Sequence, residues 1–483
     1  MSDSAFGAVG FPGLGQLDAA SPWQLSVAVL LVAGAVITPK LTPLLGKVHY
    51  YLTAETPQLV YKLTAKNKEL LARCETLTKK KYYPLWYLFN GYEFNYSSTN
   101  WTMLSMDSYL IRYLLTSFSC SHLQTVALAN ANDTAKHPDI CYERQILEMP
   151  DGGIVSLDWA LPVRKDGSVT PLSEIDRTKR TVLIHPGLTG GSSEHYIRSA
   201  VHCLHEAGWQ AVVMNARGCA QTPLKTPKVT SGSVVGIHQF FCIAYTDDFR
   251  YTAKYLAEKY AFQSEAFIGL GFSMGANVLV KYLGEEKDQT PLTGAISIGN
   301  PFDVVKCSGN IDATLFNRLT YGKALNTNLL ELVFKKSNAH EIFQGYPGID
   351  LELLRQAKSL FEFDDRFTRI LFGYKSVPEF YKDASSVTRL EHVTVPLLCI
   401  NAEDDPISIT IPSVEQIHAN ANVILCTTKS GGHLAFYEGS ECNDGDEESG
   451  LGKQQPQKHK LPMWSSRVIA EFAESVRVHS KQS

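Results

Sequence analysis

From about residue 141 onward the chain alternates short, almost wholly apolar runs with longer stretches of helical composition. The runs are RTVLIH (180–185), QAVVMNA (210–216), EAFIGLG (265–271), GAISIGN (294–300), VPLLCIN (395–401) and NVILCT (422–427). A strand covered on one face alternates apolar and polar residues, whereas a strand covered on both has no position to give to water. Runs of this kind, spaced widely enough for crossover helices, predict parallel strands. Just before them, CYERQILEM and IVSLDWAL flank the turn Pro150-Asp151-Gly152-Gly153, which predicts an antiparallel hairpin. The expected architecture is an α/β fold, a mostly parallel sheet with an antiparallel N-terminal edge.

Two stretches interrupt this rhythm. Residues 302–390 hold more than one crossover helix, with periodic apolar positions in LLELVFKKS and LLRQAKSLFEF, and predict a helical lid inserted over the sheet. Residues 440–460 have almost no apolar side chain and predict a disordered acidic loop. WSSRVIAEFAESV then predicts an amphipathic closing helix. Ahead of the sheet, KNKELLARCETLTKKKYY reads as helical and charged, and the polar and aromatic residues from Phe94 to Trp101 as a surface excursion. The expected division is a hydrophobic segment over 1–44, a mixed region over 45–140 with a surface insertion at about 92–120, and one large domain over 141–480.

The N-terminal segment carries no charge between Asp18 and Lys40, and its apolar heart, Leu25 to Ile37, has Trp23 at its edge. It predicts a membrane anchor, single-pass, in the endoplasmic reticulum or another endomembrane. A cleaved signal peptide would need a positive leading region, which is missing. Lys40 and Lys47 after the segment favour a cytosolic domain. The sequons at Asn95, Asn100 and Asn132 favour a lumenal one, so orientation stays open.

Composition narrows the chemistry by exclusion. A net charge of −4 leaves no broad basic face, so nucleic acid is not an expected partner. The ten cysteines are scattered without C-x-x-C spacing, and Cys399 and Cys426 lie inside strand-like runs, where buried thiols act as small hydrophobes. Neither a metal nor a cofactor is expected.

The stretch GLGFSMGANVLV (269–280) is a glycine turn between a strand-like and a helical run. A dinucleotide loop would need a third glycine where Met274 stands, and an acid where the next strand ends on Asn300. The template G-x-S-x-G fits without adjustment as Gly271-Phe272-Ser273-Met274-Gly275, a sharp strand-to-helix turn that would present Ser273 as a nucleophile. A serine hydroxyl needs a base, and the base an orienting carboxylate, in the chain order serine, acid, histidine. Ala402-Glu403-Asp404-Asp405-Pro406 follows one strand-like run and Ser430-Gly431-Gly432-His433 follows the last. Asp405, directly before Pro406, is the expected acid, with Glu403 and Asp404 left to turn capping or solvent. His433, on a glycine loop free to swing, is the expected base. A lone aspartate or loop histidine is ordinarily a cap or a solvated side chain; the shared order gives these two their weight.

An oxyanion formed at Ser273 would need two backbone N–H donors. One is expected from Met274 and the other from Leu188, in the loop His185-Pro186-Gly187-Leu188-Thr189-Gly190-Gly191. Arg217 reads as an ion pair that fixes a loop, Asp247-Asp248 as a helix face, and His185 as a residue that holds its own loop.

On HPGLTGGSSEHYIRS, VVMNARGC, GFSMGANVLVKYLGE, VPLLCINAEDDP, GGHLAFYEG and SHLQT (121–125), the chain resembles the membrane-anchored α/β-hydrolase-domain proteins, family 4 of the AB hydrolase superfamily, over roughly residues 121–476. The resemblance implies the α/β-hydrolase fold. It also implies a serine hydrolase acting on lipid esters: acylglycerols, phospholipids with a shorter or oxidised acyl chain, or acetyl esters. In the family's pattern the nucleophile falls on Ser273, the acid on Asp405 and the base on His433. A departure is the segment Tyr92 to Cys120, which intervenes where the family runs almost directly into its SHLQT-like motif. A monomer working on a lipid ester at a membrane is the expectation. A lipid-binding receptor or scaffold, and an acyltransferase, are the alternatives.

Overall fold

The computed structural model describes residues 54–84, 125, 140–162, 168–174, 178–225, 240–260, 262, 267–438 and 463–481. These fall within one compact unit, Ala54–Ser483. The segment over 1–44 read as an anchor, the insertion expected at 92–120, Asn95, Asn100 and Asn132, and the loop over 440–460 lie outside the described residues. Among the described residues, no helix is long and apolar enough to cross a membrane.

Strands form where the apolar runs lie. They are β2 (Cys141–Glu148), β3 (Ile154–Leu161), β4 (Thr181–His185), β5 (Gln210–Asn215), β6 (Phe267–Phe272), β7 (Gly294–Ile298), β8 (Leu397–Ala402) and β9 (Val423–Thr428), with a further strand, β1 (Gln58–Tyr61), ahead of them. The sheet runs β1-β9-β8-β7-β6-β4-β5-β3-β2. From β5 to β9 neighbouring strands are parallel, and β2, β3 and β5 pair antiparallel, as the hairpin predicts. The sheet also ends antiparallel on its other side, where β1 pairs with β9. One antiparallel edge was expected and there are two, because the four-residue QLVY is too short to show a period.

Among the described residues, eight helices have eight residues or more: α1 (Ala65–Ala72), α2 (His195–Glu206), α3 (Asp247–Tyr260), α4 (Met274–Glu286), α5 (Val304–Ala313), α6 (Lys323–Glu331), α7 (Val377–Ala384) and α8 (Trp464–Ser480). Adjacent strand residues point to opposite faces, and both faces are covered. Val182 and Ile184 pack with Ile197 of α2 and Val468 and Phe472 of α8. Leu183 between them packs in the core that holds Phe249 of α3 and Leu279 of α4. This double cover is why β4 to β9 read as unbroken apolar runs. Residues 302–390 are largely helical, and their Leu329, Val333, Phe343, Phe363 and Phe367 pack in one core with Phe240, Phe241 and Met274 from outside the stretch.

Candidate active site

Between β6 and α4 a single residue, Ser273, turns the chain, with φ 51° and ψ −115°. Its N–H donates to the Ile298 carbonyl at 2.8 Å and its own carbonyl accepts from Asn277 at 3.0 Å. A non-glycine residue in this region carries roughly 1–3 kcal/mol of strain, held by the structure around it. The flanking glycines make the turn possible. A Cβ on Gly275 would sit 2.2 Å from the His185 carbonyl oxygen, and one on Gly271 would sit 2.5 Å from that of Gly275. Ser273 is half-buried at the wall of a cleft, at the N-terminus of α4, where the helix dipole favours developing negative charge.

The other two expected side chains meet it there. Asp405 lies just past the C-terminal end of β8, where open parallel sheets keep their ligands. Its Oδ1 accepts N–H bonds from Ile407 and Ser408, both at 2.8 Å, which locks the carboxylate. Its Oδ2 lies 2.8 Å from Nδ1 of His433. A carboxylate only accepts, so the imidazole proton belongs on Nδ1, and Nε2 offers its lone pair to the Ser273 hydroxyl 2.9 Å away. Asp404 points elsewhere: its Oδ1 accepts the Gly432 N–H of the histidine loop at 2.9 Å, where a cap on its own turn or solvent exposure was expected. Burial, with the neighbouring Asp405 charge adding to it, pushes the Asp404 carboxyl up to about 7. Glu403 is exposed.

The loop that carries His433, expected to be free, is tethered. His433 is buried, and its N–H donates to Thr125 Oγ1 at 2.8 Å. The glycine before Gly432 serves packing: a Cβ on Gly431 would lie 2.7 Å from the Phe436 ring and 2.9 Å from the Ala402 Cβ.

The loop after β4 is likewise braced. Gly187 donates its N–H to Tyr196 Oη at 3.0 Å. Ser192 donates its N–H to Asn215 at 3.0 Å and its hydroxyl to Asp158 at 2.6 Å. Asp158 also pairs with Arg144 at 2.7 Å, so the loop is tied to β2 and β3. Leu188 and Met274 line the cleft beside Ser273 and His433.

His185 does not hold this loop through its side chain. It is buried, its ring is stacked on Phe249 with centroids 6.0 Å apart, and Nδ1 has no hydrogen-bond partner among the described residues. Burial lowers its titration to about 4. An unfolded histidine takes its proton near 6.5, so the stability of the neutral buried form is full above that pH and is lost as pH falls from 6.5 towards 4. His185→Phe should therefore keep about 2 kcal/mol at pH 5 that the parent chain loses relative to pH 7.5. Urea unfolding at both pH values reads this, and parallel losses in the two proteins would refute it.

Arg217 ion-pairs as expected, with Asp151 at 2.8 Å and Asp248 at 2.5 Å. Asp248 is thereby corrected from an outward helix face to a buried partner. It sits in the first turn of α3 and turns inward to meet a guanidinium that is itself buried.

The cleft over Ser273, counted out to where it opens to solvent, spans about 820 Å³. Phe240, Ile243, Val304, Ile311, Leu329 and Phe380 make most of its wall apolar. A cluster of polar side chains interrupts that wall and was not foreseen. Asp364, buried, accepts from Tyr381 Oη at 2.8 Å, with Thr368 and Ser308 alongside. Burial pushes the Asp364 carboxyl up to about 6. Its position in a widened turn, Asp364–Thr368, within the helical insertion has no sequence signature.

A family model described as the alpha/beta hydrolase fold matches residues 180–440. The chain is similar to the embryogenesis-associated protein EMB8 of Picea glauca, 34% identical over 63% of each chain. It is similar to the phospholipase ABHD3 of Mus musculus, 32% identical over 81% of this chain and 82% of that one. It is also similar to the monoacylglycerol lipase of Saccharomyces cerevisiae, 31% identical over 66% of this chain and 74% of that one. The matched region runs from the start of β4 to just past the histidine loop, so it contains the serine turn, the aspartate and the histidine in a single stretch. On the extent of that match the chain belongs to the alpha/beta-hydrolase family.

Proposed function

We propose that the protein is a serine hydrolase that cleaves carboxylic esters of lipids through an acyl-enzyme. One observation carries the reading: Ser273, His433 and Asp405 stand in hydrogen-bonded series, at 2.9 and 2.8 Å, on the wall of a mostly apolar cleft. Ser273 Oγ attacks the ester carbonyl while His433 Nε2 takes its proton, and Asp405 holds the imidazolium that results. The backbone N–H groups of Met274 and Leu188 receive the oxyanion. His433 then protonates the departing alcohol, and a water deprotonated by the same nitrogen releases the acid. The apolar wall supplied by the helical insertion takes the acyl chain. Relatives named phospholipase and monoacylglycerol lipase support a lipid as the source of that chain.

The place of work is part of the proposal. A substrate of this kind lies in a bilayer, and the uncharged stretch Leu25–Ile37 would hold the domain to an endomembrane, as in the AB hydrolase 4 family that the chain resembles. Ser273, Asp405 and His433 come from one chain, so a monomer suffices.

The test is product analysis. Vesicles of phosphatidylcholine containing monoacylglycerol, both with isotopically labelled acyl chains, are incubated with the protein, and the label should appear as free fatty acid. Label in a new ester would make the protein an acyltransferase. Lipid retained on the protein without products would make it a receptor.

A further inference from the structure

The loop that carries His433 is held by side chains from three separate parts of the chain. Glu55 accepts the N–H groups of Lys429 at 2.9 Å and Ser430 at 3.2 Å. Asp404 accepts that of Gly432 at 2.9 Å. Thr125 accepts that of His433 itself at 2.8 Å. Four backbone donors in five residues thus end on side-chain oxygens in place of water or a strand.

The loop needs such support. Gly432, Leu434 and Phe436 all have positive φ, at 57°, 66° and 41°, and two of them are not glycine. Strained backbone of this kind persists only where its surroundings over-determine it. Two of the three supports, Glu55 and Thr125, precede the stretch that matches the family model. Glu55 is anchored in turn by a two-way backbone bridge to Tyr82, whose hydroxyl donates to the Tyr437 carbonyl at 3.3 Å. Thr125 is the last residue of SHLQT, a motif to which neither the nucleophile nor its partners assigns a use.

We propose that Thr125, together with Glu55 and Asp404, is a positioning residue of the ester-cleaving reaction, fixing the backbone of the histidine loop so that the imidazole reaches Ser273 and Asp405 at once. The inference rests on the hydrolase reading above. Nε2 stands 2.9 Å from Oγ, and a loop displaced by 1 Å would carry that contact beyond hydrogen-bond range. Displacements of that size cost up to about a hundredfold in rate.

The full chain carrying Thr125→Val, which keeps the shape and removes the acceptor, is compared with Thr125→Ser, which keeps the acceptor. Turnover of a p-nitrophenyl ester is expressed per active site, counted by end-point labelling with a fluorophosphonate probe, so that unfolded protein drops out of the rate. Thr125→Val should lose about tenfold or more in kcat with KM within about twofold, since the cleft is untouched, and Thr125→Ser should recover most of the loss. Glu55→Ala and Glu55→Gln form a second pair, in which glutamine keeps one of the two acceptor oxygens and should recover part of the loss, and they decide the matter if Thr125→Val does not fold. Equal rates for parent and acceptor-less variants, equal losses within each pair, or a change in KM alone would overturn the proposal. A parent chain with no turnover and no labelling would instead overturn the hydrolase reading on which it stands.

Discussion

Replacing Ser273 by alanine is expected to lower ester turnover on the order of a millionfold and to abolish labelling by a fluorophosphonate probe. Both losses have one cause, since the probe and the ester are attacked by the same oxygen. The fold should survive the change. The Ser273 side chain makes no capping bond to α4, and alanine tolerates the turn's positive φ no worse than serine does. Circular dichroism and melting temperature should match those of the parent while activity falls to what the oxyanion donors and the cleft supply by themselves. A variant that still takes the label would place the nucleophile elsewhere.

The second large effect belongs to Asp405. Changing it to asparagine preserves size and the oxygen that Ile407 and Ser408 hold, but turns an NH₂ group towards Nδ1 of His433. That nitrogen must then accept, and its proton moves to Nε2, the atom that should take the serine proton. A loss of about ten-thousandfold in kcat is expected with KM little changed, because the wrong tautomer is installed without disturbing the cleft. Asp404→Asn makes the contrast. An amide oxygen still accepts the Gly432 N–H, so activity should stay within about tenfold of the parent. If the Asp404 variant fell further than the Asp405 variant, the two carboxylates would have to exchange roles.

The choice between these neighbours was open to a sequence reading because Pro406 marks where the turn begins. The six apolar runs were equally open, since a strand buried on both faces prints its burial on every residue. Contacts between distant parts of the chain print nothing. The tethers on the histidine loop come from Glu55 and Thr125, hundreds of residues before His433, and nothing in Ser430-Gly431-Gly432-His433 distinguishes a pinned loop from a swinging one. Asp248 read as a helix face because its period fits one, and only the approach of Arg217 turns it inward. The buried pair Asp364 and Tyr381 stayed invisible for the same reason.

The pairing of β1 with β9 bears on how the chain is made. Gln58 leaves the ribosome long before Thr427, its partner across the sheet, and synthesis at about 5–20 residues per second puts roughly 20 to 70 s between them. Throughout that interval β1 lacks the strand it pairs with, and Glu55 the loop it holds. The last strand to emerge is therefore the one that recruits the first, and the serine turn at the end of β6 is complete before the histidine loop it needs has been synthesised. A nascent chain has its nucleophile early and gains its base only late, with α8, which covers one face of the sheet, still to follow.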